Sequence, residues 1–181
     1  MDKIAIIIPS RLDASRLPNK PLKLINNKEM VLHVYEAAIN SKAGDVYIAT
    51  PDQQIIDIVK KAKGNVIKTS EQHETGTDRI YEVFNNALNK EPNIIINLQG
   101  DMPNIKPKAI SELVSYMKQG KCDIGTLASK LSSEDEFQNP NIVKVLVEGE
   151  FSENKFGWTW DFLKVKILDF SHILFYFFFF F

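Results

Sequence analysis

The chain has 181 residues, with 22 Lys and Arg against 23 Asp and Glu, a formal net charge of −1, and 25% charged residues. That balance excludes a disordered segment and a basic nucleic-acid binder, and the length allows one domain with a sizeable core. A single cysteine, Cys122, excludes an internal disulfide framework and a four-cysteine zinc site. It fits a reducing compartment. The apolar part of MDKIAIIIPS is too short for a signal-peptide core and runs straight into Pro9, so the expected location is cytoplasmic.

Over residues 3 to 148, short β-branched runs alternate with longer amphipathic stretches. Lys3 to Ile8 reads as a strand buried on both faces, and Arg11 to Leu22 as a loop stiffened by Pro18 and Pro21. Met30 to Ser41 has apolar residues at helical spacing. Asp45 to Ala49 is a second strand, and Asp52 is placed to cap a helix through Ala62 that Gly64 stops. Asn65 to Lys68 is a strand. Gly76 to Leu88 is a helix capped by Thr75 or Thr77, with Ile80, Val83, Phe84 and Ala87 inward. Asn93 to Leu98 is a strand, Lys108 to Lys118 a helix, Asp123 to Ala128 a strand, Ser133 to Phe137 one helical turn, and Ile142 to Val147 a last strand.

This alternation predicts an α/β fold: a three-layer α/β/α arrangement around a mostly parallel sheet, Rossmann-like in class. Ligands in such sheets bind at the carboxyl ends of the strands. The rule selects the loop after Ile8, the loop from His73 to Arg79, and the loop after Leu98.

The first loop places Arg11, Arg16 and Lys20 within ten residues of one another, directly after a buried strand. Arginine forks and a lysine point charge suit a polyphosphate. A solvated basic loop fits the residues equally well, and the two readings stand even. Neither the G-x-x-x-x-G-K-[ST] spacing of a P-loop nor the G-x-G-x-x-G of a dinucleotide fold is present. The second loop, His73-Glu74-Thr75-Gly76-Thr77-Asp78-Arg79, sets Gly and Thr at a helix start, where backbone N–H groups are open to an anion or a base edge; an ordinary capped helix needs the same residues. The third, Gln99-Gly100-Asp101-Met102-Pro103, puts a carboxylate at the end of a central strand, which suits either a phosphate-bridging Mg2+ or an Asx-turn.

Together the three segments resemble the nucleotidyltransferases that activate acid sugars with CTP, and most closely the 3-deoxy-manno-octulosonate (Kdo) cytidylyltransferase family. The first matches P-[AS]-R-x-x-[AS]-[ST]-R-L-P-x-K-P-L, with Asn19 where the family commonly has Gly. The second matches H-x-[ST]-G-[ST]-[DE]-R, and Ile94 to Pro103 resembles V-x-V-Q-G-D-x-P, with Met102 where many relatives have Glu. Phe137 to Val147 resembles F-x-[ND]-P-N-x-V-K-V and is assigned no chemistry.

The resemblance implies a nucleotide-diphospho-sugar transferase fold and the reaction of CTP with Kdo to give CMP-Kdo and diphosphate, feeding lipopolysaccharide synthesis in Gram-negative bacteria. It implies Arg11, Arg16 and Lys20 on the triphosphate, Asp101 on Mg2+, Gln99 on the sugar acid, and Ser15, Gly76, Thr77 and Arg79 as substrate contacts. Arg11, Lys20 and Asp101 are the expected catalytic set. His73 is left without a role. No nucleic-acid or membrane partner is expected.

Ten of the twelve Phe, both Trp and one of the eight Gly lie between Phe151 and Phe181, and no Pro follows Pro140. The sequence therefore divides in character into a nucleotide-binding segment, 1–150, and a Phe-rich tail, 151–181. The tail is expected to be non-native, from a frameshift or truncation, because the resemblance fades after Glu150. Lys164, Lys166 and Asp169 interrupt it, and Ile173 to Phe181 is too short to span a membrane. On that expectation the second lobe is incomplete, the family's homodimer contact and late metal-ligating Asp are missing, and turnover is low. A catalytically inactive remnant and a cytidylyltransferase for another acid sugar are the alternatives.

Overall fold

The computed structural model describes residues 2–13, 17–131, 133–147, 159–163 and 173–176. Two compact units divide between Gly125 and Thr126.

In the first unit, β1 (Ile4–Pro9) lies at the centre of an all-parallel four-stranded sheet with β4 (Asp45–Thr50), β5 (Val66–Lys68) and β6 (Ile94–Asn97), in the order β5-β4-β1-β6. A run of five apolar residues from Ile4 to Ile8 suits a strand covered on both faces, and all five are at most 7% exposed. Alternate side chains serve opposite faces. Ala5 and Ile7 pack with Ala49 against Ile80 and Val83, from α3 (Gly76–Glu82) and the π-helical turn that continues it (Val83–Ala87). The other helices with apolar faces are α1 (Met30–Ser41), α2 (Gln53–Lys61) and α4 (Pro107–Met117). Helix α1 packs on β1, β4 and α4. The observed sheet and helices bear out the α/β class with a parallel sheet.

A short hairpin unseen in the sequence, β2 (Leu24–Ile25) and β3 (Lys28–Glu29), turns at Asn26 and Asn27, both at positive φ (48° and 63°). Two consecutive left-handed residues match the twist a two-residue hairpin needs, and Asn tolerates that region. The left-handed residue after α2 is Lys63 (φ 58°) rather than Gly64.

The second unit holds an antiparallel sheet in the order β7-β10-β8-β9, formed by β7 (Ala128–Lys130), β8 (Lys144–Val147), β9 (Thr159–Leu163) and β10 (Ile173–Tyr176). A short helix, α5 (Glu134–Gln138), follows β7 and buries Phe137. Three sequence expectations are corrected here. The strand expected over Asp123 to Ala128 begins only at Ala128, because Ile124 is 56% exposed and Gly125 is tucked under Met117, where a Cβ would lie 2.5 Å from Sδ. The strand expected from Ile142 begins at Lys144. Both belong to this antiparallel sheet rather than the parallel one, and β9 and β10 arise in the tail, where no element was expected. Among the described residues no helix is long and apolar enough to cross a membrane.

Candidate functional site

All three loops singled out by the strand-end rule meet in one open cleft of about 280 Å3 at the carboxyl end of the parallel sheet. From the loop after β1 come Pro9, Ser10, Arg11, Lys20 and Pro21. His73, Thr75, Gly76 and Arg79 enter from the start of α3, and Gln99, Gly100 and Asp101 from the end of β6.

Each contribution has a local cause. The first loop turns at Asn19, whose φ of 56° and ψ of 27° are left-handed, so Asn supplies what Gly supplies in the resembled pattern. A 3-10 turn over Lys20–Leu22 follows, with Pro21 buried, and it fixes where the Lys20 side chain begins. Asp52, at the N-cap of α2, does not cap that helix with its side chain; its Oδ2 instead accepts Leu12 N–H at 2.8 Å and ties the loop to the neighbouring strand end. The sequence reading of Asp52 as a helix cap is corrected accordingly.

Thr75, not Thr77, caps α3. Its Oγ1 accepts Asp78 N–H, and the Asp78 carboxylate accepts from Thr75 N–H, both at 3.1 Å, a reciprocal capping box. The Thr75 hydroxyl, which donates to Asp78 Oδ2 at 2.6 Å, and after it the Thr75 N–H hold the Asp78 carboxyl below the usual carboxylate range. Thr77 lies half-buried in the first turn and does not line the cleft. Ser15 and Arg16 lie outside the described residues.

Arg79 is 3% exposed. It donates to Thr69 Oγ1 and, at 2.8 Å, to Ser70 O. Burial lowers its pKa, and so does the nearby positive charge of Arg11, while Asp52 and Glu82 act in the opposite sense. Arg11 and Arg79 thus bring two guanidinium groups to the lining of one open cleft.

At the rim, Lys20 Nζ lies 2.6 Å from Asp101 Oδ2, with side chains 36% and 51% exposed. The cation expected on a phosphate and the carboxylate expected on a metal thus neutralise each other in the free chain. No group of three His, Cys, Asp or Glu residues able to hold a metal occurs among the described residues. A lone, half-exposed carboxylate fits magnesium that arrives on a nucleotide, since Mg2+ takes one or two carboxylates and fills its octahedron with phosphates and water.

Two features escaped the sequence reading. His73 lines the cleft and pairs with Glu82 at 2.5 Å, and Glu82 also accepts Ser70 N–H at 2.9 Å. Burial pushes the Glu82 carboxyl up, yet the bonds from His73 and Ser70 and the charges of His73 and Arg79 outweigh it and leave it lowered. The i, i+3 spacing of Arg79 and Glu82 on one helix face was the available signal. The second is the backbone floor. A Cβ on Gly100 would lie 2.6 Å from Ser10 Oγ and 3.1 Å from Pro9 O, and one on Gly76 would lie 3.2 Å from Pro9 Cγ. Gln99 donates its side-chain N–H to Asn97 Oδ1 at 2.7 Å.

A family model for cytidylyltransferases matches residues 5–164. The 3-deoxy-manno-octulosonate cytidylyltransferase of Thermodesulfovibrio yellowstonii is 45% identical over 148 residues, 78% of this chain and 58% of that protein. The 8-amino-3,8-dideoxy-manno-octulosonate cytidylyltransferase of Shewanella piezotolerans is 38% identical over 152 residues, 82% of this chain and 62% of that protein. The solved structure of a CMP:2-keto-3-deoxy-manno-octonic acid synthetase complexed with CTP superposes with a TM-score of 0.87 at 33% identity, over 99% of this chain and 73% of that one. The chain therefore spans about three fifths of the length of these two curated relatives.

Proposed function

The chain belongs to the cytidylyltransferase family, and from that premise we propose that it transfers the CMP group of CTP to a Kdo-type acid sugar, releasing diphosphate. The observation that carries this reading is the convergence of the three loops on one cleft, bringing Arg11, Lys20, Arg79 and Asp101 together. In the cell the product would serve lipopolysaccharide synthesis, with the reaction in the cytoplasm.

The anomeric hydroxyl of the sugar gives its proton to solvent water and forms a new bond to the α-phosphorus while the α–β bridging bond breaks and its electron pair leaves on diphosphate. Little covalent chemistry falls to the protein; its part is placement and charge. Arg11 and Lys20, at the exposed rim, hold the departing diphosphate and offset its charge, and Ser15 and Arg16 complete this basic loop. Arg79, fixed by Thr69 and Ser70, adds a positive wall that does not move. Gly76 brings the start of α3 to the nucleotide. Gln99, its N–H given to Asn97, offers its carbonyl oxygen to a hydroxyl of the acceptor.

Asp101 would hold Mg2+ together with the nucleotide phosphates, and the bound ion would offset charge on the α-phosphate and the leaving diphosphate. For that, Lys20 must release Asp101 and turn to the phosphates. Because the pair is exposed, its rupture costs at most about 1 kcal/mol.

A second acceptor is favoured by a specific observation, the similarity to the enzyme for the 8-amino sugar. Diphosphate release from CTP should therefore be measured with Kdo, its 8-amino analogue and neuraminate in parallel. Release with an eight-carbon acid sugar is the expected result. Release only with neuraminate would replace the acceptor, and the absence of release with all three would overturn the proposed transfer.

A further inference from the structure

Arg11 and Lys20, the cations of the first loop that line the cleft, flank a neck in the chain. Asn19 N–H donates to Leu12 O at 3.2 Å, so Arg11 stands just before the neck and Lys20 just after it. The other backbone group of Leu12 ties the neck down: its N–H donates to Asp52 Oδ2 at 2.8 Å, a charge-assisted bond across 40 residues of sequence. Arg11 is therefore held from both sides, by Ser10 N–H on Ala49 O at 2.9 Å and by Leu12 N–H on Asp52.

Asp52 is itself firmly placed between β4 and α2. Its N–H donates to Oγ1 of the fully buried Thr50 at 3.2 Å, and its carbonyl accepts Ile56 N–H at 3.1 Å in the first turn of α2. The side chain stands at the N-cap of that helix and makes no capping bond to it. Neither Asp52 nor Leu12 lines the cleft. The carboxylate is close enough for its charge to act on Arg79, against the effect of Arg11. Negative charge there works against an anion in the cleft, so what recommends Asp52 is the oxygen it gives to Leu12.

We propose that Asp52 is a positioning residue for the basic loop. By holding Leu12 N–H it sets Arg11, and through the neck Lys20, where they meet the outer two phosphates of a bound triphosphate. Placement fixed before the ligand arrives lowers the ordering cost of binding. The inference rests on the cytidine-nucleotide reading above.

Two variants separate the bond from the charge. Asp52→Asn keeps an oxygen at the same reach and removes the charge. Asp52→Ser removes both, because its hydroxyl is one bond shorter, yet serine suits an N-cap and leaves α2 its start. The full-length parent and both variants are titrated by calorimetry with CTP and with CMP, in the presence of Mg2+. Asp52→Ser should weaken CTP about tenfold, the lower end of what a bond to a charged group is worth, and CMP by less than about twofold. Asp52→Asn should bind both nucleotides as the parent does, or CTP more tightly. Three results would overturn the inference: unchanged CTP affinity in Asp52→Ser, equal weakening of CTP and CMP there, or an Asp52→Asn variant as weak as Asp52→Ser. A parent that binds CTP no better than CMP would remove Arg11 and Lys20 from the outer phosphates, and this inference with them. A parent that binds neither would overturn the cytidine-nucleotide reading itself.

Discussion

The rim of the cleft and its buried wall and floor use opposite means. At the rim, Lys20 and Asp101 are exposed, mobile in principle and already paired with each other, so the rim holds its charge in reserve and can hand it to a ligand. In the wall and floor, Arg79 and Ser10 are nearly inaccessible, and Gly76 and Gly100 act through the side chains they lack. The difference separates affinity that salt can screen from shape that it cannot.

Substitutions sharpen that contrast, and the largest effect on stability belongs to the wall. Arg79→Met removes a buried guanidinium that satisfies Thr69 and Ser70; urea unfolding should show a loss of about 3 kcal/mol. Gly100→Ala comes next, because Pro9 O at 3.1 Å is backbone and must give. A loss of about 1–2 kcal/mol is expected, with weakened nucleotide binding in the same preparation. A variant that kept full stability and affinity would show the floor to be looser than drawn.

Much of this was legible, and for physical reasons. Ile4 to Ile8 can only be satisfied between two covering layers, so the sheet followed, and the strand-end rule then marked the three loops that line the cleft. Asp52 was misread because capping is a local rule and its actual partner, Leu12 N–H, lies 40 residues away. The Lys20–Asp101 pair spans 81 residues and was equally out of reach. The second sheet was misassigned because β10 inserts between β7 and β8, and a Phe-rich run has no period from which pairing could be read.

Acid should affect the wall before the floor. The Glu82 carboxyl is lowered in the folded chain from its ordinary value of 4.5. A depressed carboxyl contributes stability that is fully present above the unfolded value and is lost as the pH falls through the folded one. Stability should therefore decline below about pH 4.5, and Glu82→Gln should flatten part of that decline. A parent and variant with parallel profiles would remove Glu82 from the wall's charge balance.

The smallest change in stability belongs to the rim, and it is also the most informative. Lys20→Gln, Asp101→Asn and the double variant should all unfold within about 0.5 kcal/mol of the parent, because an exposed pair is worth little. Binding should behave otherwise. In the free chain Lys20 occupies the carboxylate that a divalent ion would use, so Lys20→Gln should tighten Mn2+ binding measured by electron paramagnetic resonance without nucleotide, while weakening CTP. Asp101→Asn should leave the free Mn2+ signal undiminished in either background. If Lys20→Gln left Mn2+ binding unchanged, the pair would not be holding the carboxylate in solution. The rim would then be two independent charges rather than a reserve released when a metal-bound triphosphate arrives.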